Sequence, residues 1–236
     1  MSLSLNAGGN ERGTMEFSLT ELDEAYETLM SEVVRTGVVQ HYAELSTLIE
    51  ISPNEALGRI QKIVELTPGW MHPGTDYIAS FPPFNNQPTQ YRISVDGEQK
   101  WFAQCGFEAL ACRWLFPGKT VRIEAPCLLG GEPLTIEMKD EEILLVDPDT
   151  IVGYTRSPVG GDAANRPFRG GGMNLFRAEE QARLFHDWDE DMEWTLQQLQ
   201  WWATTFATPM FRNRGRSDFI TWMSGEKGAS AMHELR

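Results

Sequence analysis

A chain of 236 residues with 41% hydrophobic and 11% aromatic content is long enough for one substantial core or two small ones. Its formal net charge of −14 argues against non-specific nucleic-acid binding, which needs a basic surface, and against docking on an anionic membrane leaflet. Three cysteines make no small-domain disulfide framework, no apolar run reaches the ~20 residues of a membrane span, and the polar start has no secretory signal, so a soluble cytoplasmic protein is expected.

Residues 1–14 are rich in Ser, Asn and Gly and are expected to be disordered. Ser18-Leu-Thr-Glu opens an acidic helix running to about Arg35, with Leu22, Ala25, Leu29 and Val33 on one face. Such a leading helix packs on the next domain or on a second subunit, which leaves a homodimer open. A short helix follows over Tyr42–Glu50. Ser52-Pro53-Asn54-Glu55 then supplies an N-cap, a proline at the first helical position and a capping-box acid. The helix it starts carries Ala56, Leu57, Ile60 and Val64 on one side.

Two short helices followed by strand candidates at Asp76–Ser80 and Tyr91–Val95 make a winged-helix-like unit. A DNA-binding regulator is the obvious function for that shape. Yet its second helix brings only Arg59 and Lys62, beside Glu55 and Glu65, where a recognition helix brings more positive charge. The unit reads better as a scaffold over a catalytic domain. Phe81–Pro88 (FPPFNNQP) reads as a loop over the sheet edge, and Asp96-Gly97 as a hairpin turn delivering the chain to Trp101.

Gln104–Leu115 reads as a helix stopped by Pro117-Gly118. On it Cys105, Glu108 and Cys112 stand at i, i+3 and i+7, on one face. A thiol near a helix start can become a reactive thiolate, and a carboxyl one turn away can hold or deliver a proton. Most free cysteines are small core hydrophobes, and Cys112 is read as one. Cys105 differs because an acid on an apolar face is costly unless paired or used.

Thr120–Ala125 and Leu134–Met138 form an expected hairpin across Gly130-Gly131, with further strands at Glu141–Val146 and Thr150–Tyr154. Short connections predict antiparallel pairing. Residues 156–172 are glycine-rich, fit for a lid, a binding loop or a disordered connector, and carry Arg166 and Arg169 as cations for an anionic ligand. Ala178–Trp188 is read as a helix and Asp189–Thr205 as its continuation or a second one. Its aromatic residues, Trp194, Trp201, Trp202 and Phe206, fit burial against the core or a dimer partner better than a ligand cage. His41, His72, His186 and His233 have no zinc spacing, and no P-loop, GxGxxG or GxSxG motif is present. Residues 211–218 form a local basic patch, and 225–236 are expected to fray.

The run Trp101–Cys127 resembles the organomercurial (alkylmercury) lyase family. The resemblance rests on Cys105-x-x-Glu108 opening a helix after an Asp-Gly hairpin and an aromatic, on the strand Gly118-Lys-Thr-Val-Arg-Ile123, and on Cys127 downstream. It runs colinearly from about Val38 to Phe185 and is strongest over Tyr91–Pro133. The resemblance implies an N-terminal winged-helix-like unit, then a mixed-sheet core that cleaves carbon–mercury bonds with two cysteines and an aspartate. Cys105 matches the first catalytic cysteine, Glu108 stands where the family has Asp, and Cys127 matches a buried structural cysteine. The second catalytic cysteine is missing: glycine, Gly170 or Gly171, occupies its place, and no cysteine follows Cys127.

The expected fold is therefore α+β: a helical winged-helix-like unit over 15–95, a mixed or antiparallel sheet core flanked by helices over 96–210, and a tail over 211–236. Three functions stay open. Cys105 can engage mercury as a thiolate while Glu108 protonates the leaving carbon; the pair can act on a small organic substrate; or Cys105 and Cys127 can hold a soft metal, copper or mercury, without turnover. Cys112 is a poor second sulfur, since seven helical residues separate the two Cα atoms by about 10 Å. Cys127, or a small external thiol, would have to serve.

Overall fold

A computed structural model describes residues 15–67, 69–158, 173–186, 192–199 and 212–225. The helix-start signals act as the sequence implies. Ser18 caps α1 (Leu19–Thr36): the Glu21 amide donates to its hydroxyl at 3.3 Å, and the Ser18 amide donates to the Glu21 carboxylate at 2.7 Å. Gly37 ends the helix at φ 82°, a left-handed conformation that glycine adopts freely. Next come α2 (Tyr42–Leu48) and α3 (Pro53–Leu66), the latter capped by Ser52 with proline in its first turn. Neither cation of α3 is available to a nucleic acid without breaking a contact. Arg59 is buried and reaches Glu24 at 2.8 Å and Glu55 at 2.7 Å, and Lys62 pairs with Glu65.

Eight strands form the larger sheet: β1 (Trp70–Met71), β2 (Ile78–Phe81), β3 (Phe84–Asn85), β4 (Tyr91–Val95), β5 (Glu98–Ala103), β6 (Thr120–Pro126), β7 (Pro133–Lys139) and β8 (Glu142–Asp147). They lie in the order β1-β2-β3-β5-β4-β6-β7-β8, with every pairing antiparallel. The alternation of β6 and β7 turns Val121, Ile123, Ala125, Leu134, Ile136 and Met138 inward. At the β4–β5 turn both Asp96 and Gly97 have positive φ, the hairpin geometry an Asp-Gly pair favours. That turn is also where the sequence reading divides the chain at 95/96, and the hydrogen-bonded pair β4–β5 spans it.

The helix α4 (Gly106–Ala111) and a 3-10 turn (Cys112–Leu115) follow β5. A second sheet has the order β10-β9-β11, from β9 (Val152–Pro158), β10 (Met173–Phe176) and β11 (Met192–Gln198), with α5 (Glu179–His186) packed against it. The chain closes with α6 (Phe219–Ser224) against α1. One buried cluster runs from Leu22 of α1 through both sheets to Ile220 of α6.

Three expectations require correction. The helix expected over 189–205 is, at Met192–Gln198, the strand β11 paired antiparallel with β9. Met192, Trp194 and Leu196 alternate with Glu193, Thr195 and Gln197, a period of two that suits a strand. The segment FPPFNNQP is not wholly a loop, because Phe84–Asn85 inserts as β3 between β2 and β5 with Phe84 fully buried. The expected helix from 104 to 115 is α-helical only over Gly106–Ala111 and tightens into the 3-10 turn before Pro117. Residues 1–14, the glycine-rich stretch 159–172 with Arg166, Arg169, Gly170 and Gly171, the aromatic run holding Trp201, Trp202 and Phe206, and residues 226–236 lie outside the described residues.

The two ends of the chain are tied by one acid. Buried Asp23 of α1 accepts from the Ile220 amide at 2.7 Å, from the Thr221 amide at 3.2 Å and from the Thr221 hydroxyl, satisfying donors at the start of α6. Asp23→Ala should therefore destabilise the protein by about 1–2 kcal/mol, the usual range for losing a cap. A denaturant midpoint equal to that of the parent protein would show the contact to be idle.

Candidate active site

The start of α4 is wedged between the two sheets. A Cβ on Gly106 would stand 2.9 Å from the Met173 carbonyl oxygen of β10, so only glycine permits this approach. Cys105 immediately precedes it as the N-cap, with extended backbone (φ −155°, ψ −179°), and Glu108 is the third residue of the helix. This spacing brings thiol and carboxyl to the same helix end. Both are buried: Cys105 is 3% exposed and Glu108 only 1%.

Glu108 does not stand alone in the core. Arg214, itself 1% exposed, donates through Nη2 to Glu108 Oε1 at 2.9 Å and through Nη1 to the Pro82 carbonyl at 2.9 Å. The Tyr26 hydroxyl of α1 donates to the Arg214 carbonyl at 3.0 Å. The second carboxylate oxygen, Glu108 Oε2, is buried and has no hydrogen-bond partner among the described residues. Gln104 Nε2 is in the same condition, although the amide oxygen of Gln104 accepts from Ser80 at 2.6 Å.

These surroundings set the proton equilibria. Burial pushes the Glu108 carboxyl up to about 7, with the Arg214 charge pulling the other way. Burial, followed by repulsion from Glu108, pushes the Cys105 thiol up to about 11. The backbone amides of Glu108, Met173 and Phe107 favour the thiolate but are outweighed, and no capping hydrogen bond to the sulfur forms. The thiolate expected from the helix end is thus corrected: the free protein holds a neutral thiol, because desolvation exceeds what a few amides return. Cys112 is fully buried, and burial raises its thiol well above the ordinary range, in keeping with a core role.

Cys127 has other company. It donates to the Gln181 amide oxygen of α5 at 3.2 Å and accepts from the Arg177 amide at 3.4 Å. Gln181 in turn donates to Glu132 at 3.3 Å. Cys105 and Cys127 have no common partner among these contacts. No cluster of three or more His, Cys, Asp or Glu able to hold a metal occurs among the described residues, and no described helix is long and apolar enough to cross a membrane. A surface hollow of about 650 Å³ is lined by Trp114, Pro117, Asp140 and Arg212 among others, and neither Cys105 nor Glu108 borders it.

Arg214 is the residue that sequence reasoning missed, since Arg-Asn-Arg-Gly-Arg reads as an exposed basic patch. The usable signal was indirect. An acid on an apolar helix face requires a cation from elsewhere, but nothing in the sequence says which of twenty Lys and Arg residues supplies it.

Comparison with known proteins agrees with this architecture. The family model for alkylmercury lyase matches residues 84–211, more than half of the chain. Alkylmercury lyases of Bacillus cereus and Clostridium butyricum are each 37% identical over 68 residues. That stretch is 28% of this chain and spans only 29% of the length of either relative. The crystal structure of the mercury-bound form of MerB2 superposes with a TM-score of 0.61, covering 85% of this chain and 99% of that one at 19% identity, a likeness of fold.

The raised thiol value has a kinetic signature. Alkylation of Cys105 by iodoacetamide should be at least about 100-fold slower at pH 7 than for a free thiol, because raising the thiol from 9.0 to about 11 lowers its thiolate fraction by that factor. The rate should keep climbing past pH 9. A plateau below pH 8 would mean that the sulfur is an activated thiolate.

Proposed function

The chain belongs to the alkylmercury lyase family, and from that premise we propose that Cys105 and Glu108 together perform protonolytic cleavage of a carbon–mercury bond. The observation that carries the reading is the buried carboxyl of Glu108, held at one oxygen and unpartnered at the other among the described residues, at the helix end that Cys105 caps. A carboxyl with a value near 7 is both a competent base and a competent acid at neutral pH.

The atoms balance as follows. An organomercury cation meets the neutral Cys105 thiol; a sulfur–mercury bond forms and the thiol proton passes to Glu108, which becomes a carboxylic acid. Soft sulfur donates electron density to mercury and weakens the carbon–mercury bond. That bond then breaks with its electron pair on carbon, and the Glu108 proton goes to this carbon. The products are a hydrocarbon, mercury bound to Cys105 and a regenerated carboxylate. A small external thiol supplies the second sulfur, in the role that no cysteine after Cys127 can fill, and carries the metal away. Glutamate is one methylene longer than the family's aspartate and must fold back to reach the same point. The helices α1 to α3 act as cover, with Tyr26 holding the Arg214 segment in place. The partner on this reading is a small molecule or soft metal; Arg59 pairs with Glu24 of α1 and Glu55 of α3, and Lys62 with Glu65, a charge pattern ill suited to a nucleic acid.

The glycine at the second cysteine's place favours one other reading, in which the same thiol–acid pair acts on a small organic substrate without mercury. A single assay separates the two. With phenylmercury and excess small thiol, the protein should release benzene and inorganic mercury above the thiol-only control. Cys105→Ser should fall to that control, and Glu108→Gln should lose about 10²- to 10⁴-fold, the typical worth of a positioned acid–base group. No release by the parent protein overturns the lyase reading, and full activity in Glu108→Gln overturns the role given to the acid.

A further inference from the structure

We propose that Arg214 is the positioning residue of this site: by anchoring Glu108 through Oε1 it leaves Oε2 as the one oxygen that takes and returns the proton. This rests on the reading of Cys105 and Glu108 as a reacting pair. The guanidinium bridges two fixed points, Glu108 Oε1 and the Pro82 carbonyl, both at 2.9 Å. Its own backbone is held in turn, since Tyr26 donates to the Arg214 carbonyl and Asp23 secures the start of α6 five residues on. A side chain fixed at both ends fixes the carboxyl it holds.

Stability alone does not explain the pair. A buried ion pair is commonly no better than well-packed hydrocarbon of the same volume, because desolvating two charges offsets their attraction. The groups facing Glu108 give the arrangement a different purpose. Cys105 and Cys112 lie on its own helix and the turn that follows, and Tyr26 faces the pair from α1. Tyr91 faces Cys105 from β4. Among these groups only Arg214 carries positive charge. Without it, burial would keep Glu108 protonated through neutral pH, and the carboxyl could give a proton but not take one from the thiol. With it, both directions are open.

The test uses the full chain without mercurial, labelled with ¹³C at the glutamate carboxyls and with the Glu108 signal identified by its loss in E108Q. In the parent protein Glu108 should titrate near neutrality. In R214M its midpoint should rise by about one pH unit or more, the size of effect a neighbouring arginine exerts, and R214K should restore most of the difference. R214Q, which retains a hydrogen-bonding amide in the same space, carries the same expectation should R214M not fold. An unchanged midpoint in either neutral variant overturns the proposal.

Phenylmercury turnover keeps the two readings apart. At pH 7, R214M should lose tenfold or more, its pH profile moving upward with the Glu108 midpoint, while R214K recovers. If the midpoint moves as stated but no protein releases mercury, the role of Arg214 stands and the lyase reading falls. If all release mercury with one pH profile and the midpoint stays put, the lyase reading stands and Arg214 is only structural.

Discussion

An ionisable pair enclosed in hydrocarbon organises this molecule. Glu108 and Arg214 are each 1% exposed and 106 residues apart in sequence, yet meet at 2.9 Å. Removing the Glu108 carboxyl would leave the Arg214 charge uncompensated in the core, a loss of about 3–5 kcal/mol where such pairs have been broken. Removing Arg214 instead drives Glu108 to its neutral acid. The contact therefore requires several distant segments to be in place together. The β2–β3 turn offers the Pro82 carbonyl, α1 offers Tyr26 and Asp23, and the segment before α6 brings the arginine. The first helix and the last are in this sense part of the site, although neither carries a reacting atom.

Enclosure also decides what the sulfur can do. A thiol whose value is pushed to about 11 is inert toward ordinary electrophiles at neutral pH. A soft cation changes that balance, because metal binding to sulfur displaces the proton directly. Beside it stands a carboxyl poised near 7, so the displaced proton has an acceptor that need not pass it to water.

Much of this was legible in the chain itself. Ser18 with Glu21 and Ser52 with Pro53 marked helix starts, Asp96-Gly97 marked a hairpin, and alternation through Val121–Ala125 marked a half-buried strand, because each is a local steric or hydrogen-bonding preference. The closeness of Cys105 and Glu108 was equally local. The failures were of other kinds. Met192–Gln198 alternates as a strand should, but it reads as continuing or following the helix expected over Ala178–Trp188. Phe84 sits between prolines, and only its neighbours β2 and β5 make it a strand residue. Arg214 was out of reach, because a partner 106 residues away leaves no trace in local pattern. The protonated state of Cys105 escaped for a related reason: a helix end is visible in sequence, whereas the depth of burial that overrides it depends on both sheets and α1.

Glu108 must be a carboxyl that takes and gives up its proton near pH 7 for this chemistry to work, and the pH dependence of unfolding addresses that most directly. A carboxyl raised from its ordinary value near 4.5 to about 7 binds its proton more tightly folded than unfolded. The stability it confers is complete below pH 4.5 and is lost as the pH rises through 7. The difference in unfolding free energy between the parent protein and Glu108→Gln should accordingly fall between pH 4.5 and 7 and then level off. A difference that stays flat across that window, or rises, would mean that Glu108 is an ordinary carboxylate and that the site as drawn does not exist.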